Sequence, residues 1–224
     1  GPFVLAKKQP KPQARFDTRT WSSKPAGNLY FSLLIRSSKD EILSKVLPAS
    51  AVAVVRACEK EGVQAFVKWP NDVWVSDKKL SGMIARAENV IETFAPKYAI
   101  NLGVGININE DMSQNEKLKD SAISVSQSTG KPVEREIFLA NYLNELEGLL
   151  LLDRSEVIRA YAKHSRFQPG DTIKIFPRGV EHPEEAKPAK VVGFNEWFQL
   201  IVDGYPTSDA TNTALMEEEV SVRL

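Results

Sequence analysis

Phe66-Val-Lys-Trp-Pro-Asn-Asp-Val-Trp-Val75 decides how this chain folds. Phe66 to Trp69 reads as a strand. Pro70 ends it, because a proline has no N–H to give to a ladder. The chain is forced into a turn that displays Asn71 and Asp72 beside Lys68, and Val73-Trp-Val75 begins a second strand. Lysine offers a point positive charge for a phosphate or a carboxylate, and asparagine offers both a donor and an acceptor. Taken alone, the segment reads equally well as a surface turn with a local salt bridge.

Outward from that turn the chain keeps a strand rhythm. Ser76-Asp-Lys-Lys79 reads as a hairpin turn, and Leu80 to Ala87 begins a third strand. Within it, Lys78-Lys-Leu-Ser-Gly82-Met83 sets a basic pair just before a glycine, which lets a ligand approach the backbone while an ammonium reaches over it. Tyr98 to Ile108 is a fourth strand, interrupted by Gly103 and Gly105 in Leu102-Gly-Val-Gly-Ile-Asn-Ile-Asn109. Glycine inside a strand weakens it, and close approach of a flat or bulky ligand is the usual reason; a bulge or a tight sheet crossing is the other. This is not the dinucleotide fingerprint, because the third glycine and the following helix are missing.

Upstream, Leu29-Tyr-Phe-Ser-Leu-Leu-Ile35 is β-prone behind a Gly27-Asn28 turn, and Leu43 to Lys60 has apolar residues at helical spacing, stopped by Gly62. Residues 3–9 read as a short strand, and residues 10–20, with prolines at 10 and 12, as a mobile loop. Downstream, Glu134 to Leu152 reads as an amphipathic helix with Ile137, Leu139, Ala140, Leu143, Leu146, Leu149 and Leu150 on one side. Ser155 to Lys163 continues helically. From Phe167 the texture becomes short β segments (172–176, 189–192, 198–202 and 219–224) joined by Gly, Pro and Asp, the rhythm of a small all-β barrel. The expected architecture is therefore an α/β (α+β type) unit over 3–165, a mixed sheet backed by helices, followed by a small barrel over 166–224.

Composition bounds the function. With 42% hydrophobic and 26% charged residues the chain is neither disordered nor fibrous. Lys plus Arg and Asp plus Glu both number 29, which argues against a nucleic-acid or membrane-surface partner. The single cysteine, Cys58, cannot close an internal disulfide and reads as core, in keeping with a reducing, cytoplasmic compartment. No apolar run approaches the roughly 18 residues of a membrane span. His164 and His182 sit outside the motifs and read as structural or surface groups, and no Cys/His cluster has metal spacing. Gly1-Pro2 reads as the scar of a cleaved tag.

Lys68-Trp-Pro-Asn-Asp72, Lys79-Leu-Ser-Gly-Met83 and Gly103-Val-Gly-Ile-Asn-Ile-Asn109, in this order and spacing, closely resemble the biotin–protein ligases, which carry K-W-P-N-D, K-L-x-G-I and G-x-G-I-N-x-N. Gly27-Asn-Leu-Tyr-Phe-Ser32, the Ser128-Thr-Gly-Lys131 opening of the long helix, Asn144-Glu-Leu-Glu147 and the terminal Glu218-Glu-Val-Ser-Val-Arg223 are similar to that family as well. There are two departures. The family's loop runs Q-x-x-G-R-G-R-x-G-R-x-W, whereas Gln9 to Trp21 keeps Arg19 and Trp21, matches Arg15 with a one-residue shift and has no glycine. This sequence starts after the point where the family carries a Ser/Thr-Thr-Asn segment on an earlier strand, so that segment is either cut away or left out, or the protein lacks it.

The resemblance implies a class II synthetase-like biotin/lipoate ligase fold with an SH3-like barrel. It also implies a two-step reaction: the biotin carboxylate attacks the α-phosphorus of ATP, then a lysine of a biotin carboxyl carrier (acceptor) domain attacks the acyl carbon. By resemblance, Lys79, Lys68 and Arg19 are the catalytic residues. Gln9, Trp21, Lys79, Gly82, Met83, Gly103 and Gly105 surround biotin. Arg15, Arg19, Trp21, Asn71, Asp72 and Asn107 hold the nucleotide, with Mg²⁺ bridging its phosphates. The 10–20 loop is expected to order over the adenylate. No protein-bound metal is expected, and a homodimer stays open. Two rivals remain at this point: a lipoate or octanoate ligase, which shares the fold class, and a non-catalytic biotin-binding relative with a degraded adenylation loop. A transcription regulator would need a helix-turn-helix, which these residues do not contain.

Overall fold

Alternation of buried and open residues along one long hairpin sets the layers of this protein. In the computed structural model, which describes residues 1–6, 27–89, 97–177, 185–216 and 220–223, strand β6 (Tyr98–Ile106) buries every second side chain. Tyr98, Ile100, Leu102, Val104 and Ile106 face a hydrophobic core, while Asn101, Gly103 and Gly105 face away from it. Five further strands complete the sheet: β1 (Phe3–Ala6), β2 (Leu29–Ser37), β3 (Phe66–Lys68), β4 (Asp72–Val75) and β5 (Lys78–Asn89). Their order is β1-β2-β6-β5-β4-β3. The ladders between these strands run antiparallel, and parallel pairing enters only as isolated bridges, Val67–Ser165 and Lys79–Ala122.

Helix α1 (Ile42–Lys60) lies on the core face. Its Val52-Ala-Val-Val55 run is wholly buried, so it is apolar all round and needs neighbours on two sides. The sheet covers one side, and α3 (Arg135–Leu151) and α4 (Arg154–His164) cover the other. Gly62, at φ +77°, ends α1 as the glycine predicts, and Val63 N–H closes back on the Cys58 carbonyl at 2.9 Å. Lys45, 2% exposed, pairs with Glu41 and donates to the Leu152 carbonyl at the end of α3.

Two expectations for α3 need correction. Its buried residues are Phe138, Tyr142, Leu146 and Leu149, whereas Ile137, expected on the inner side, is 53% exposed. Leu139, Leu143 and Leu150 pack only partly. The buried face is set by specific partners: Tyr142 hydroxyl lies 2.9 Å from Ser50 Oγ and its ring packs edge-on against Phe31. The Ser128-Thr-Gly-Lys131 segment does not open this helix. It closes a short one, α2 (Val125–Thr129), whose C-cap is Gly130 in the left-handed conformation.

The C-terminal residues form a separate five-stranded antiparallel sheet, β7 (Thr172–Pro177), β8 (Lys187–Phe194), β9 (Leu200–Asp203), β10 (Thr213–Ala214) and β11 (Val220–Arg223), in the order β10-β9-β8-β7-β11. It is joined to the first sheet through α4 and the 69–70 turn. Tyr161 of α4 packs edge-on against Phe194 and Phe198, and its hydroxyl donates to the Pro70 carbonyl. A sheet backed by helices with a small second sheet at the C terminus is the architecture the strand rhythm led us to expect.

Candidate functional site: a glycine-floored trough with lysines at one end

The sheet face opposite the helices carries the site. Cross-strand pairing there aligns Tyr30, Gly105, Gly82, Asp72 and Lys68 in one row from β2 to β3. Directly opposed residues of an antiparallel pair project from the same face, so the row is continuous. The next row holds Ser32, Gly103 and Ile84. The middle of the face is therefore floored by glycine backbone, and the two carboxylate- or ammonium-bearing residues stand at the β3–β4 end.

A bulge builds that end. Val75 pairs with Lys78 and Trp74 with Lys79, but Val73 pairs with Ser81 and Asp72 with Gly82. One extra residue, Leu80, has entered β5, and it is buried in the core. Residues three apart on a regular strand face opposite ways. The bulge instead turns Lys79 and Gly82 to the same face. Lys79 Nζ then reaches Asp72 Oδ1 at 2.7 Å, with the two side chains 30% and 17% exposed. A Cβ at Gly82 would lie 2.9 Å from both Lys79 Cε and Nζ, so the ammonium lies across the space a side chain would fill.

Lys68 stands beside this pair. It is the cross-strand partner of Asp72, and its ammonium lies 3.7 Å from the centroid of the Trp74 ring. Asn71 is stitched to the neighbouring strand: its Nδ2 donates to the Met83 carbonyl at 2.7 Å and its carbonyl accepts from Met83 N–H. Trp69, before the turn, donates its Nε1–H at 3.0 Å to the carbonyl of Phe198, in the connection between β8 and β9 of the second sheet. Asn107 is 5% exposed, and its Nδ2 donates to the carbonyls of Lys79 and Ile123. Lys79 itself bonds Ser121 and Ile123 through its main chain. The backbone under Lys79 is thus clamped from two sides.

Of the residues expected at the site, Lys68, Asn71, Asp72, Lys79, Gly82, Gly103 and Gly105 are brought together. Met83 is not on the trough. It opposes Val104 on the helix-packed face and is 1% exposed, because it alternates with Gly82. Its carbonyl and N–H serve Asn71 instead. Gln9, Arg15, Arg19, Trp21 and His182 lie outside the described residues. Two further residues lie beside the glycine row; both fall in the family-like Gly27–Ser32 segment, but neither was among the expected site residues. Tyr30 borders the glycines, and Asn28 donates to its hydroxyl at 3.0 Å while accepting from Ile108 N–H. The sequence marked Asn28 as a turn residue within that segment and did not show its bond to Tyr30.

The remaining reactive groups stay apart from the trough. Burial pushes the Cys58 thiol well above its ordinary range, so it is a poor thiolate source. His164 is held below its ordinary value by burial, partly opposed by Glu59 at 3.6 Å. Among the described residues no group of three or more His, Cys, Asp or Glu could hold a metal ion, and no helix is long and apolar enough to cross a membrane. A cleft of about 410 Å³ lies between α1, the 69–70 turn and the second sheet, and none of the row residues lines it.

A flat floor without side chains, with cationic groups at one end, offers room for a planar or extended apolar molecule bearing an anionic head. Comparison with known proteins makes the class specific. Residues 15–107 match the biotin/lipoate A/B protein ligase family. The bifunctional ligase/repressor BirA of Bacillus subtilis is 32% identical over 140 residues, 60% of this chain and 41% of that protein. BirA of Escherichia coli is 28% identical over 64% of this chain and 44% of its own length, so the chain spans less than half of these curated relatives. Among solved structures, the biotin protein ligase of Aquifex aeolicus in complex with biotin and ATP superposes with a TM-score of 0.78 at 25% identity, covering 99% of this chain and 88% of that one.

Proposed function

We propose that this chain is the catalytic unit of an ATP-dependent biotin–protein ligase. The observation that carries the reading is Gly103. Its backbone is not left-handed, and a Cβ there would meet only the Ile84 carbonyl at 3.8 Å and Ser32 Oγ at 3.9 Å. Among the described residues nothing in the packing requires a glycine there, which leaves room above it for a ligand. A bicyclic ring with an aliphatic tail suits a bare sheet face, and its carboxylate would end beside Lys79 and Lys68. The Aquifex relative's complex with biotin and ATP supports the same choice of substrates.

Two anions must meet for the first step. A biotin carboxylate oxygen attacks the α-phosphorus of ATP, a P–O bond forms, and pyrophosphate leaves. Lys79 would span carboxylate and α-phosphate, and Lys68 would offset charge on the same side; fixed cations of this kind act where the charge concentrates. By the resemblance, Arg15, Arg19 and Trp21 would contact the nucleotide, and Asn71 and Asp72 lie at the end of the trough where it would come. Asn107 would act by holding the Lys79 backbone. Mg²⁺ would arrive with the nucleotide's phosphates, and no step here depends on where it sits. In the second step an acceptor lysine amine attacks the acyl carbon, an amide forms, a proton is lost and AMP departs. Positioning supplies most of the acceleration, since no enzyme group needs to become covalently bound. Residues 166–224, including the five-stranded sheet, are read as the SH3-like unit.

Intact-protein mass after incubation with ATP and either biotin or lipoate tests the reading. Retained biotinyl-adenylate, with pyrophosphate released, is expected. Adenylate with lipoate alone would move the chain to the lipoate branch of its family, and binding of biotin without pyrophosphate would leave a non-catalytic binder.

A further inference from the structure

Asp72 sits between two ammonium-bearing residues, yet it makes its 2.7 Å contact with only one side of the trough, through Lys79. Three features converge on that contact. The bulge at Leu80 turns Lys79 toward Asp72, the missing side chain at Gly82 leaves the path open, and the clamp by Asn107, Ser121 and Ile123 fixes the lysine's backbone. A long lysine side chain otherwise samples many rotamers, and fixing it costs up to about 2 kcal/mol of entropy. An anchor made before the substrates arrive removes that cost from the reaction.

We infer that Asp72 is a positioning residue for Lys79: its carboxylate, across the Gly82 gap, holds the ammonium over the trough floor, and it acts on the reaction through Lys79 rather than by binding the nucleotide. The inference rests on the ligase reading above and assigns a role within that site. Its geometric consequence is that Asp72 and Gly82 form one device. Replacing Gly82 by alanine places a methyl 2.9 Å from Cε and Nζ, so the lysine tip must shift from its place beside Asp72, although alanine costs the strand less than glycine. Asp72→Asn keeps the size of the side chain and removes only its charge.

The test is a double-mutant cycle on pyrophosphate release with biotin and ATP, combined with direct observation of the lysine ammonium. Asp72→Asn and Gly82→Ala should each lower kcat by roughly ten- to a hundredfold, the scale of a misplaced catalytic group, with KM for ATP changed less than about threefold. In a Lys79→Ala background, Asp72→Asn should add less than about twofold, because its target is gone. Equal, multiplicative losses in both backgrounds, or a loss confined to KM for ATP, would show that Asp72 serves the nucleotide itself and would overturn the inference. The ammonium resonance of Lys79 in ¹⁵N-lysine protein, identified by its disappearance in Lys79→Ala, does not need activity. It should be sharp in the parent protein and lost in both single variants while their melting curves stay cooperative. An unchanged resonance in Asp72→Asn defeats the inference. A parent protein that keeps this resonance but releases no pyrophosphate defeats the ligase reading alone.

Discussion

Trp69 Nε1 donates to the carbonyl of Phe198 at 3.0 Å, which ties the turn carrying Asn71 and Asp72 to the C-terminal sheet. Tyr161 closes the same joint, with its ring on Phe198 and its hydroxyl on the Pro70 carbonyl. The second sheet therefore braces one end of the trough although its residues are far away in sequence.

Trp69→Phe keeps the apolar body but removes the donor, leaving the Phe198 carbonyl without it. We expect a loss of about 1–3 kcal/mol in urea unfolding, the cost of an unsatisfied buried group. A slower adenylation rate should accompany it, because the turn loses its brace. Unaltered stability would mean that the two sheets are held by packing alone.

Lys79→Ala should reduce biotinyl-adenylate formation by at least about a hundredfold, the scale of one fixed electrostatic group. Lys79 is partly exposed and its main-chain bonds survive the substitution, so the melting transition should move by no more than the equivalent of about 0.5 kcal/mol. Near-normal adenylation in this variant would take Lys79 out of the mechanism.

The turn and the glycine strand were legible because Pro70, Gly103 and Gly105 break their elements in ways side-chain chemistry announces. The Lys79–Asp72 contact was not legible. A straight hairpin would pair Asp72 with Ser81, and only the extra residue at Leu80 moves it to Gly82. No composition rule locates that bulge. Met83 was misplaced for a related reason: an apolar residue after a site glycine looks like a wall, but period-two alternation sends it to the core. In α3 apolar residues run around most of the helix, so the buried stripe was decided by Ser50 and Phe31, which sequence spacing cannot reveal.

His164 predicts a pH effect on stability. Burial holds its folded-state value below that of the free imidazole, so below about pH 6.5 the unfolded chain binds a proton that the folded one resists. Stability should therefore fall as pH drops from about 6.5 toward the folded-state value, and this contribution should be constant above about pH 6.5. His164→Gln should flatten that part of a pH series of urea midpoints. An identical slope in the variant would assign the effect to other groups.

Gly103→Val separates the needs of the fold from those of the ligand. Glycine inside a strand costs about 0.5–1 kcal/mol relative to alanine, and β-branched residues favour strands. At Gly103 a Cβ would find only ordinary contacts, at 3.8 and 3.9 Å. The variant should thus melt at the same temperature or higher. Its isopropyl group would project from the trough floor between Ser32 and Ile84, where the ligand is proposed to lie. Forcing extra carbon into a filled site costs about 1–3 kcal/mol, which is roughly 5- to 150-fold in affinity. Calorimetric titration with biotin should show that loss in a protein that is at least as stable as the parent. Unchanged biotin affinity would place the ligand elsewhere, and with it the reason for the glycine. A lower melting temperature would mean that the chain's own packing, and not the ligand, demands glycine at this position.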